Sequence, residues 1–374
     1  MKKIIWTIII MVVMAGAVFF LGYKNSNDAT EGHFIKIGAL LPLSGNAANY
    51  GEGSREGIEI AKDDLKSKYL NLNIQVVYED SFYDPKRAVD GYRKLKDISN
   101  ISAILTGGSQ ISSAVKNLSD KDNVLQMAIW SGAPSYSSGV HNFTFRVTAL
   151  ADEHIPALVE YLDNHNYKKL ALLYANNEFG VAFKESFENF PNKKISVVPY
   201  GFSSEDMDFR TLLLKVKNDK TDAIFFVGLV KQFVGVLKEA NELGIKKKFF
   251  SQWSVEDQQL LDGANDLAEG IIYTYPFDYN TPYSKDFTFK YQQKYNKVPN
   301  GYVAESYVGT MLMGEAINAC QNKVNVNCWK DYLDKIKNFP TIMGLVTMDS
   351  RGDIKAGKVF LKTVKDGKFV KLEE

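Results

Sequence analysis

The amino-acid sequence predicts an α/β protein with two lobes, each built on a parallel β-sheet. The chain has 374 residues, about twice the length of a typical single domain, so two separate cores are expected. Short apolar segments alternate with amphipathic segments along most of the chain, which indicates repeated strand–helix units. The predicted strands are apolar at nearly every position, as is typical of parallel sheets that helices cover on both faces.

The first series of strand–helix units begins after residue 33. The apolar segment 35–41 predicts a strand, and the segment 53–65 predicts a helix because its apolar residues recur at helical spacing. After a second strand at 74–78, Asp84 and Pro85 supply the N-cap and the first-turn proline of another helix. The series continues with a strand at 101–105, a helix from Ser112 and a strand at 124–129.

The second series follows residue 146 and repeats the pattern. Helices are expected at 152–162, 179–190, 208–216 and up to Leu243, alternating with strands at 170–174, 195–198 and 223–227. Beyond residue 271 the order changes to three helical segments, at 284–295, 302–319 and 329–336. The final segment, 341–372, predicts β-structure with a hairpin turn at Asp366-Gly367.

The N-terminal segment predicts export from the cytoplasm. Lys2 and Lys3 precede an apolar run over residues 4–23, long enough to cross the roughly 30 Å hydrocarbon core of a bilayer as a helix. The two lysines place the N-terminus inside and the rest of the chain outside. A cleaved secretory signal is the alternative, because the small residues 15–17 fit a cleavage site. The apolar residues 18–21 continue beyond that site and favour an uncleaved anchor.

The chain has two cysteines, Cys320 and Cys328, within one short polar stretch. In an oxidising compartment, two cysteines this close in sequence predict a disulfide that closes a loop. A pair of free thiols is the alternative. A structural zinc site is disfavoured, because it requires four nitrogen or sulfur ligands and no histidine lies nearby in the sequence.

The sequence does not predict catalysis, a cofactor or a metal centre. The formal charge of +1 gives no reason to expect a nucleic-acid partner. The four histidines are isolated from one another and from the cysteines. Gly107-Gly108-Ser109 follows a strand, but it lacks the Gly-Lys-Ser/Thr ending of a phosphate loop, and no Gly-x-Ser-x-Gly nucleophile motif occurs.

Three strand-end loops of the first series carry small, hydroxylic and aromatic residues that suit a ligand site. In parallel sheets, ligands bind beyond the carboxyl ends of the strands, where helix N-termini direct free N–H groups outward. The loops contain Tyr50, then Ser109 with Gln110, and then Trp130 with Ser131 and Gly132. Ser109 and Ser131 are suited to bind a carboxylate. The alternative for each serine is a helix cap or a turn.

Several short motifs, taken in their order and spacing, resemble the leucine/isoleucine/valine-binding family of type I periplasmic binding proteins. The motifs are Ile37-Gly38 leading into Leu43-Ser44-Gly45, Tyr50-Gly51, Asp84-Pro85, Ala133-Pro134, Phe143-Thr144-Phe145-Arg146, Asp208-Phe209, Ala268-Glu269-Gly270, Gly344-Leu345-Val346 and Asp349-Ser350-Arg351-Gly352-Asp353. The resemblance extends from about residue 35 to residue 371. It implies two Rossmann-like lobes with parallel sheets, joined by a three-strand hinge and closing on a ligand between them.

The resemblance also implies a domain organisation in which each lobe is discontinuous in sequence. Residues 1–23 are expected to form the signal or membrane anchor, and residues 24–33 a tether. Residues 34–146 with 276–340 are expected to form the first lobe, and residues 147–275 with 341–374 the second.

Carried over to this chain, the family's ligand contacts fall on nine residues. They are the six loop residues Tyr50, Ser109, Gln110, Trp130, Ser131 and Gly132, together with Phe179, Leu229 and Trp253 in the second lobe. The family has Tyr, Tyr and Glu at the last three positions, and a threonine where this chain has Gly132. The Tyr at the Leu229 position and the Glu at the Trp253 position hold the α-ammonium group of an amino acid. A buried ammonium without an acceptor is costly, so Trp253 argues against an ordinary α-amino acid unless Glu256 or Asp257 supplies the charge.

The function that the resemblance implies is capture of a small amino acid-like or carboxylate ligand for a branched-chain amino-acid-type ABC importer. The partners would be this ligand and a membrane permease, and the protein is expected to be a monomer. The alternative is a ligand-sensing receptor ectodomain of the same fold. Neither is an enzyme. The expected location is extracytoplasmic, with the chain either anchored by its N-terminal helix or released after signal cleavage.

Overall fold

Strand and helix alternate from Ile35 to Tyr275, and the α/β class that the sequence predicts is confirmed. The structure is a computed structural model that describes residues 34–139, 141–276, 282, 284–355, 357 and 359–373. The predicted anchor and tether, residues 1–33, lie outside the described residues. Within the described ranges, no helix is both long enough and apolar enough to cross a membrane.

The strands of the described residues form three sheets. In chain order they are β1 (Ile35–Leu41), β2 (Ile74–Asp80), β3 (Ala103–Gly107), β4 (Leu125–Ile129), β5 (Thr144–Arg146), β6 (Lys169–Ala175), β7 (Ser196–Phe202), β8 (Ala223–Val227), β9 (Lys248–Gln252), β10 (Ile272–Tyr275), β11 (Phe339–Thr341), β12 (Gly344–Met348), β13 (Ile354–Lys355), β14 (Phe360–Lys365) and β15 (Lys368–Lys371). The first sheet is parallel, in the order β2-β1-β3-β4-β5. The second has the order β15-β14-β10-β9-β8-β6-β7 and is parallel except at β14 and β15. A small antiparallel sheet contains β11, β12 and β13.

Helices cover both faces of the two large sheets. They are α1 (Ala48–Lys68), α2 (Pro85–Arg93), α3 (Ser109–Asp122), α4 (Ala151–Asn164), α5 (Glu178–Asn189), α6 (Arg210–Asn218), α7 (Val230–Glu242), α8 (Gln258–Ala264), α9 (Lys285–Tyr295), α10 (Gly301–Ala319) and α11 (Val326–Leu333). On the first sheet, α1 and α10 pack on one face and α2 and α3 on the other. On the second sheet, α4 and α5 face one core and α6 and α7 the other. We refer to the first sheet with its helices as lobe 1 and to the second sheet with its helices as lobe 2.

The chain passes between the lobes three times: after β5, after β10, and between β13 and β14. The strand β13 lies beside β5, because Arg146 and Asp353 form a parallel bridge. The exact residues at which each lobe begins and ends, as the family resemblance implies them, stay a prediction.

Two helices begin earlier than the apolar pattern predicts. The helix α1 starts at Ala48, after a 3-10 turn at Gly45–Ala47, because its first turn is polar and rich in glycine and hides the apolar repeat. The helix α3 starts at Ser109, directly after Gly108, whose φ of 93° is in the left-handed region. Both shifts place predicted ligand residues, Tyr50 and Ser109, in the first turn of a helix.

The predicted disulfide between Cys320 and Cys328 is confirmed, with 6.1 Å between the two Cα atoms. Cys320 is the C-cap residue of α10 and Cys328 lies in α11, so the bridge joins two consecutive helices. The side-chain amide of Asn322, inside this loop, donates a hydrogen bond of 3.2 Å to the carbonyl of Asn71. The loop is therefore fixed both covalently and against the connection between α1 and β2.

Candidate functional site

The carboxyl ends of β1, β3 and β4 bring the three predicted loops of lobe 1 together. Tyr50, only 2% exposed, reaches from this edge into lobe 2. Its hydroxyl accepts a hydrogen bond from the Val230 N–H at 2.9 Å and donates one to the Ser254 carbonyl at 3.4 Å. Burial raises the pKa of Tyr50 well above its ordinary value, so the phenol keeps the proton that it donates. The two lobes therefore meet at this side chain.

Trp130 lies flat against the turn formed by Gly107 and Gly108. Its backbone has a φ of 39°, and its N–H donates a 2.5 Å hydrogen bond to Glu305 Oε2. The indole Nε1 donates to Ser54 Oγ at 2.9 Å. A Cβ at Gly107 would lie 2.4 Å from the indole Cζ2, so a larger residue would displace the ring. The glycines that resemble part of a phosphate loop in the sequence therefore make room for an aromatic ring.

Five aromatic rings form a row across the edges of the two lobes. The centroid distances are 6.0 Å from Tyr83 to Trp130, 5.8 Å from Trp130 to Tyr50, 4.8 Å from Tyr50 to Tyr302 and 6.4 Å from Tyr302 to Trp253. Tyr50, Trp130 and Trp253 were predicted from the sequence as ligand residues, and the other two were not. Tyr83 follows the end of β2, and that position could have identified it, since the other loops also follow strand ends. Tyr302 lies in the first turn of α10, where no local pattern marks it.

Ser131 is the predicted anion-binding residue with an unused hydroxyl. Its Oγ is fully buried and makes no hydrogen bond within the part of the chain that the structure describes. The Ser109 hydroxyl, in contrast, accepts a hydrogen bond of 3.2 Å from the Ala133 N–H. The Gln110 side chain donates one of 2.5 Å to the Tyr83 carbonyl. Ser109 and Gln110 therefore hold neighbouring loops in position. The bond to Ser109 uses only an acceptor site of its hydroxyl, whereas Ser131 has both its donor and its acceptor sites for a ligand.

Arg146 binds the backbone of the Ser131 loop, and its own charge is balanced by Asp353. Its fully buried guanidinium donates from Nη1 to the carbonyl groups of Ser131, at 3.0 Å, and Ala133, at 2.6 Å. The Nε group donates to Asp353 Oδ1 at 2.9 Å. Because Arg146 binds two of the loop's carbonyl groups, these groups are compensated and oppose an anion less.

Gly132 and Phe179 contact each other from opposite lobes. A Cβ at Gly132 would lie 3.1 Å from Phe179 Cε2 and 3.2 Å from the Ala149 carbonyl oxygen. Phe179 in turn packs edge-to-face on Phe183, with 5.1 Å between ring centroids. The glycine that replaces the family's threonine therefore removes a hydroxyl and accommodates an aromatic ring from lobe 2.

Leu229 and Glu256 do not supply a free acceptor in lobe 2. Leu229 precedes α7; its side chain is apolar, and its N–H donates to Gln232 Oε1 at 3.0 Å. Glu256 is 6% exposed and binds both the Tyr273 hydroxyl and the Lys362 ammonium, each at 2.5 Å. Lys362 already balances the charge of Glu256, so this carboxylate is paired within lobe 2.

Asp257, the second carboxylate considered from the sequence, joins the lobes. It accepts a hydrogen bond of 2.9 Å from the Asn49 side-chain amide and another from the Tyr302 hydroxyl, and both donors belong to lobe 1. Within lobe 2, the Gln259 N–H donates to its other oxygen at 2.8 Å. Burial raises the pKa of Asp257 above its ordinary value. A ligand cation at Asp257 would have to compete with these donors.

Glu178 is a second acidic residue of lobe 2 that contacts lobe 1, and it was not predicted from the sequence. This first residue of α5 accepts hydrogen bonds from the hydroxyl groups of Ser113, at 2.7 Å, and Ser135, at 2.5 Å. Both serines belong to lobe 1. At two separate strand ends of lobe 2, an acidic residue therefore accepts hydrogen bonds from uncharged donors of lobe 1.

Comparison with known proteins places this geometry in a family. A profile of the periplasmic binding protein family matches residues 35–368. The Leu/Ile/Val-binding protein of Escherichia coli (strain K12) is 24% identical over 352 residues, which cover 92% of this chain and 93% of that protein.

Solved structures share the fold over nearly the whole chain. A leucine-binding protein from Thermotoga maritima has a TM-score of 0.84 at 22% identity, covering 91% of this chain and 98% of that chain. A solute-binding protein of an ABC transporter from R. palustris, solved in complex with benzoate, has a TM-score of 0.84 at 18% identity, covering 91% and 95%. The resemblance seen in the sequence is thereby confirmed. The chain belongs to the periplasmic binding protein family, as a type I, extracytoplasmic member related to the leucine/isoleucine/valine-binding proteins.

Proposed function

We propose that this protein is the solute-binding subunit of an ABC importer and captures a small carboxylate that has an apolar or aromatic body. The observation that carries the proposal is the distribution of hydrogen bonds. Glu256 and Asp257, the lobe 2 carboxylates that could bind an ammonium group, already have partners, whereas the Ser131 hydroxyl has none among the described residues. A ligand with a carboxylate and no obligatory ammonium group matches this distribution of donors and acceptors.

The anion-binding side of the cleft belongs to lobe 1. The Ser131 hydroxyl is buried without a partner among the described residues, and Arg146 holds the same loop from beneath. The N-terminal turn of α3 lies beside this loop, where Ser109 contacts Ala133. The hydroxyl and the helix N-terminus each favour a negative group, whereas the charge of Arg146 is already balanced by Asp353.

The opposite side of the cleft favours an apolar body. Phe179 and Leu229 present hydrocarbon, and Trp253 ends the aromatic row. Aromatic pairs contribute roughly 0.5–1.5 kcal/mol beyond the burial of their area. An α-ammonium group would meet these apolar side chains, or would have to displace Asn49 and Tyr302 from Asp257.

The relatives support the same class of ligand. The Escherichia coli protein is named for leucine, isoleucine and valine, and the R. palustris protein was solved with benzoate. All of these ligands combine a carboxylate with an apolar body, and they differ in whether an α-ammonium group is present. The side chains of lobe 2 favour the ligands that lack it.

Calorimetry on the purified full chain tests the proposal, with benzoate, 4-hydroxybenzoate, isoleucine and the deaminated analogue 3-methylpentanoate as ligands. We expect binding of an acid without the ammonium group, and a loss of about tenfold or more in Ser131→Ala, because a hydrogen bond to a charged group contributes about 1.5–3 kcal/mol. Ser119→Ala is the matched control, since Ser119 is fully buried but lies near the other end of α3. Micromolar binding of isoleucine with no binding of the deaminated acids would refute the proposed ligand class.

Delivery of the ligand to a membrane permease completes the proposed role. Ligand binding between the lobes stabilises the closed form, and the closed form is the one that docks. Co-purification of the full chain with permease and ATPase subunits would support this role. Co-purification with a signalling protein instead would favour the alternative, a ligand-sensing receptor ectodomain.

We also propose that residues 4–23 remain as a membrane anchor, and that the protein is a monomer. Lobe 1 would comprise residues 34–146 and 276–340, and lobe 2 residues 147–275 and 341–374. Mass spectrometry of the native protein should detect the N-terminal residues. A mature N-terminus at Val18 would show instead that the chain is released. Light scattering tests the second proposal, and a mass of two chains would contradict a monomer.

A further inference from the structure

Glu305 is a buried carboxyl group outside the predicted ligand contacts. It lies on α10, is 0% exposed, and contacts two functionally different parts of the chain. One oxygen accepts a hydrogen bond of 2.5 Å from the Trp130 N–H, at the edge of the cleft. The other is 2.6 Å from the hydroxyl of Thr148, in the segment that follows β5 and crosses to lobe 2. A single side chain therefore links a cleft residue to a hinge segment.

The conformation of Trp130 requires such a partner. Its φ of 39° is in the left-handed region, which a bulky residue rarely adopts. Residues in this region persist only where the surrounding structure holds them, and they cluster at ligand sites. Glu305 holds the backbone N–H of Trp130, and Ser54 holds its indole N–H. Of these two hydrogen bonds, the one to Glu305 restrains the backbone. Loss of Glu305 therefore leaves Trp130 held only through its indole ring.

The hinge segment around Thr148 is bonded to the strand that leads to Trp130. The Thr148 side chain is 0% exposed, and the preceding residue, Val147, donates its N–H to the Ala128 carbonyl at 3.0 Å. Ala128 belongs to β4, the strand that leads to Trp130. The hinge segment and the cleft loop thus share one strand and one buried carboxyl group.

We propose that Glu305 is a positioning residue that couples the backbone conformation of Trp130 to the first hinge segment through Thr148, so that cleft shape and lobe closure change together. The inference rests on the proposed function only in treating Trp130 as part of the ligand cleft. Burial raises the pKa of Glu305 well above its ordinary value, which favours the neutral acid. A neutral acid offers one donor and one acceptor, and glutamine offers the same pair.

Three variants of the ligand-free full chain test whether Glu305 couples Trp130 to the hinge segment or only supports Trp130 locally. Glu305→Leu removes both hydrogen bonds, Thr148→Val removes only the hinge contact, and Glu305→Gln retains both. Glu239→Leu is the matched control, because Glu239 is a 7% exposed carboxylate of lobe 2 that accepts the Phe209 N–H at 2.6 Å.

Two measurements on each variant need no ligand, so their outcome is independent of the proposed function. Amide hydrogen exchange monitors the peptide that contains Trp130. Electron–electron resonance measures the interlobe distance distribution between spin labels at Lys121→Cys, in lobe 1, and Lys194→Cys, in lobe 2. The native cysteines are bonded to each other and do not take up label.

We expect exchange at Trp130 to become about tenfold faster or more in Glu305→Leu, because a buried hydrogen bond is lost. The interlobe distribution should broaden or shift in both Glu305→Leu and Thr148→Val. Glu305→Gln and Glu239→Leu should resemble the wild type in both measurements. Faster exchange in Glu305→Leu with an unchanged interlobe distribution would overturn the proposal and leave Glu305 as a local support. An equal change in Glu239→Leu would also overturn it.

Discussion

The hydroxyl of Tyr50 offers a direct test of whether the contacts between the lobes determine affinity. Tyr50→Phe removes one oxygen atom and keeps the ring that packs between Trp130 and Tyr302. The variant therefore leaves the aromatic row intact. It deletes the two hydrogen bonds that Tyr50 makes with Val230 and Ser254 in lobe 2.

The magnitude follows from the fate of the Val230 N–H. Val230 is the first residue of α7 and is 0% exposed, so its N–H has no access to water in the closed form. A buried polar group without a partner costs about 1–3 kcal/mol. We expect opening of the lobes to hydrate this N–H, so that the cost falls on the closed form alone. With the ligand bound to the closed form, as proposed above, affinity should fall about 5- to 150-fold.

Calorimetry with whichever acid binds the wild type measures this loss. Urea unfolding shows whether the free energy of unfolding changes less than the free energy of binding. Tyr92→Phe is the control, because the Tyr92 hydroxyl donates to Asp122 at 3.1 Å entirely within lobe 1. Unchanged affinity in Tyr50→Phe, or an equal loss in Tyr92→Phe, would show that this contact between the lobes does not stabilise the liganded form.

Three further predictions concern stability, each measured by urea unfolding. Gly107→Ala should destabilise the protein by about 1–3 kcal/mol through overpacking against the indole, and it should also weaken ligand binding. Burial lowers the pKa of His154 from 6.5 to about 3. The folded protein therefore binds fewer protons than the unfolded chain, and its stability, complete above pH 6.5, should fall toward pH 3 by up to about 1.4 kcal/mol per pH unit from this group. Reduction of the Cys320–Cys328 disulfide should cost about 2–3 kcal/mol, because the bridge closes a short loop in the unfolded chain.

Each of these predictions has a control or a contrary result. Gly235→Ala should be neutral or stabilising, since the nearest atom to its Cβ would be at an ordinary 3.6 Å. His154→Gln should reduce the acid sensitivity, and an unchanged slope would assign that sensitivity to other groups. Thiol labelling of the unreduced protein should detect no free Cys320 or Cys328, and two reactive thiols would contradict the disulfide.

The fold could be predicted from the sequence because its signals are local. Apolar segments such as 35–41 and 223–227 match buried parallel strands, and Asp84 with Pro85 does begin a helix, α2. The three lobe 1 loops could be predicted for a related reason. The ends of parallel strands meet at one edge whatever the details of packing, so Tyr50 and Trp130 were expected to lie close together.

The remaining features of the site depend on tertiary contacts that no local pattern encodes. Asp257 is a buried acceptor for Asn49 and Tyr302, which lie 208 and 45 residues away. Glu305 contacts Trp130 across 175 residues, from the interior of an apolar helix. Conversely, Ser109 and Ser131 both follow strand ends in loops of small residues, and the sequence does not distinguish them. Only the structure shows that the Ser109 oxygen accepts a hydrogen bond within the protein and that the Ser131 hydroxyl makes none among the described residues.

The buried ion pair between Arg146 and Asp353 has a mechanical consequence. Arg146 ends β5, just before the first passage between the lobes, and Asp353 precedes β13, just before the third. Their side chains, 0% and 4% exposed, lie 2.8 Å apart and fasten two of the three passages to each other. We expect a joint with two fastened passages to resist torsion more than bending, so that the lobes would rotate about a nearly fixed axis. Each closure would then return the same atoms to the same partners, which a joint of three independent strands would not ensure.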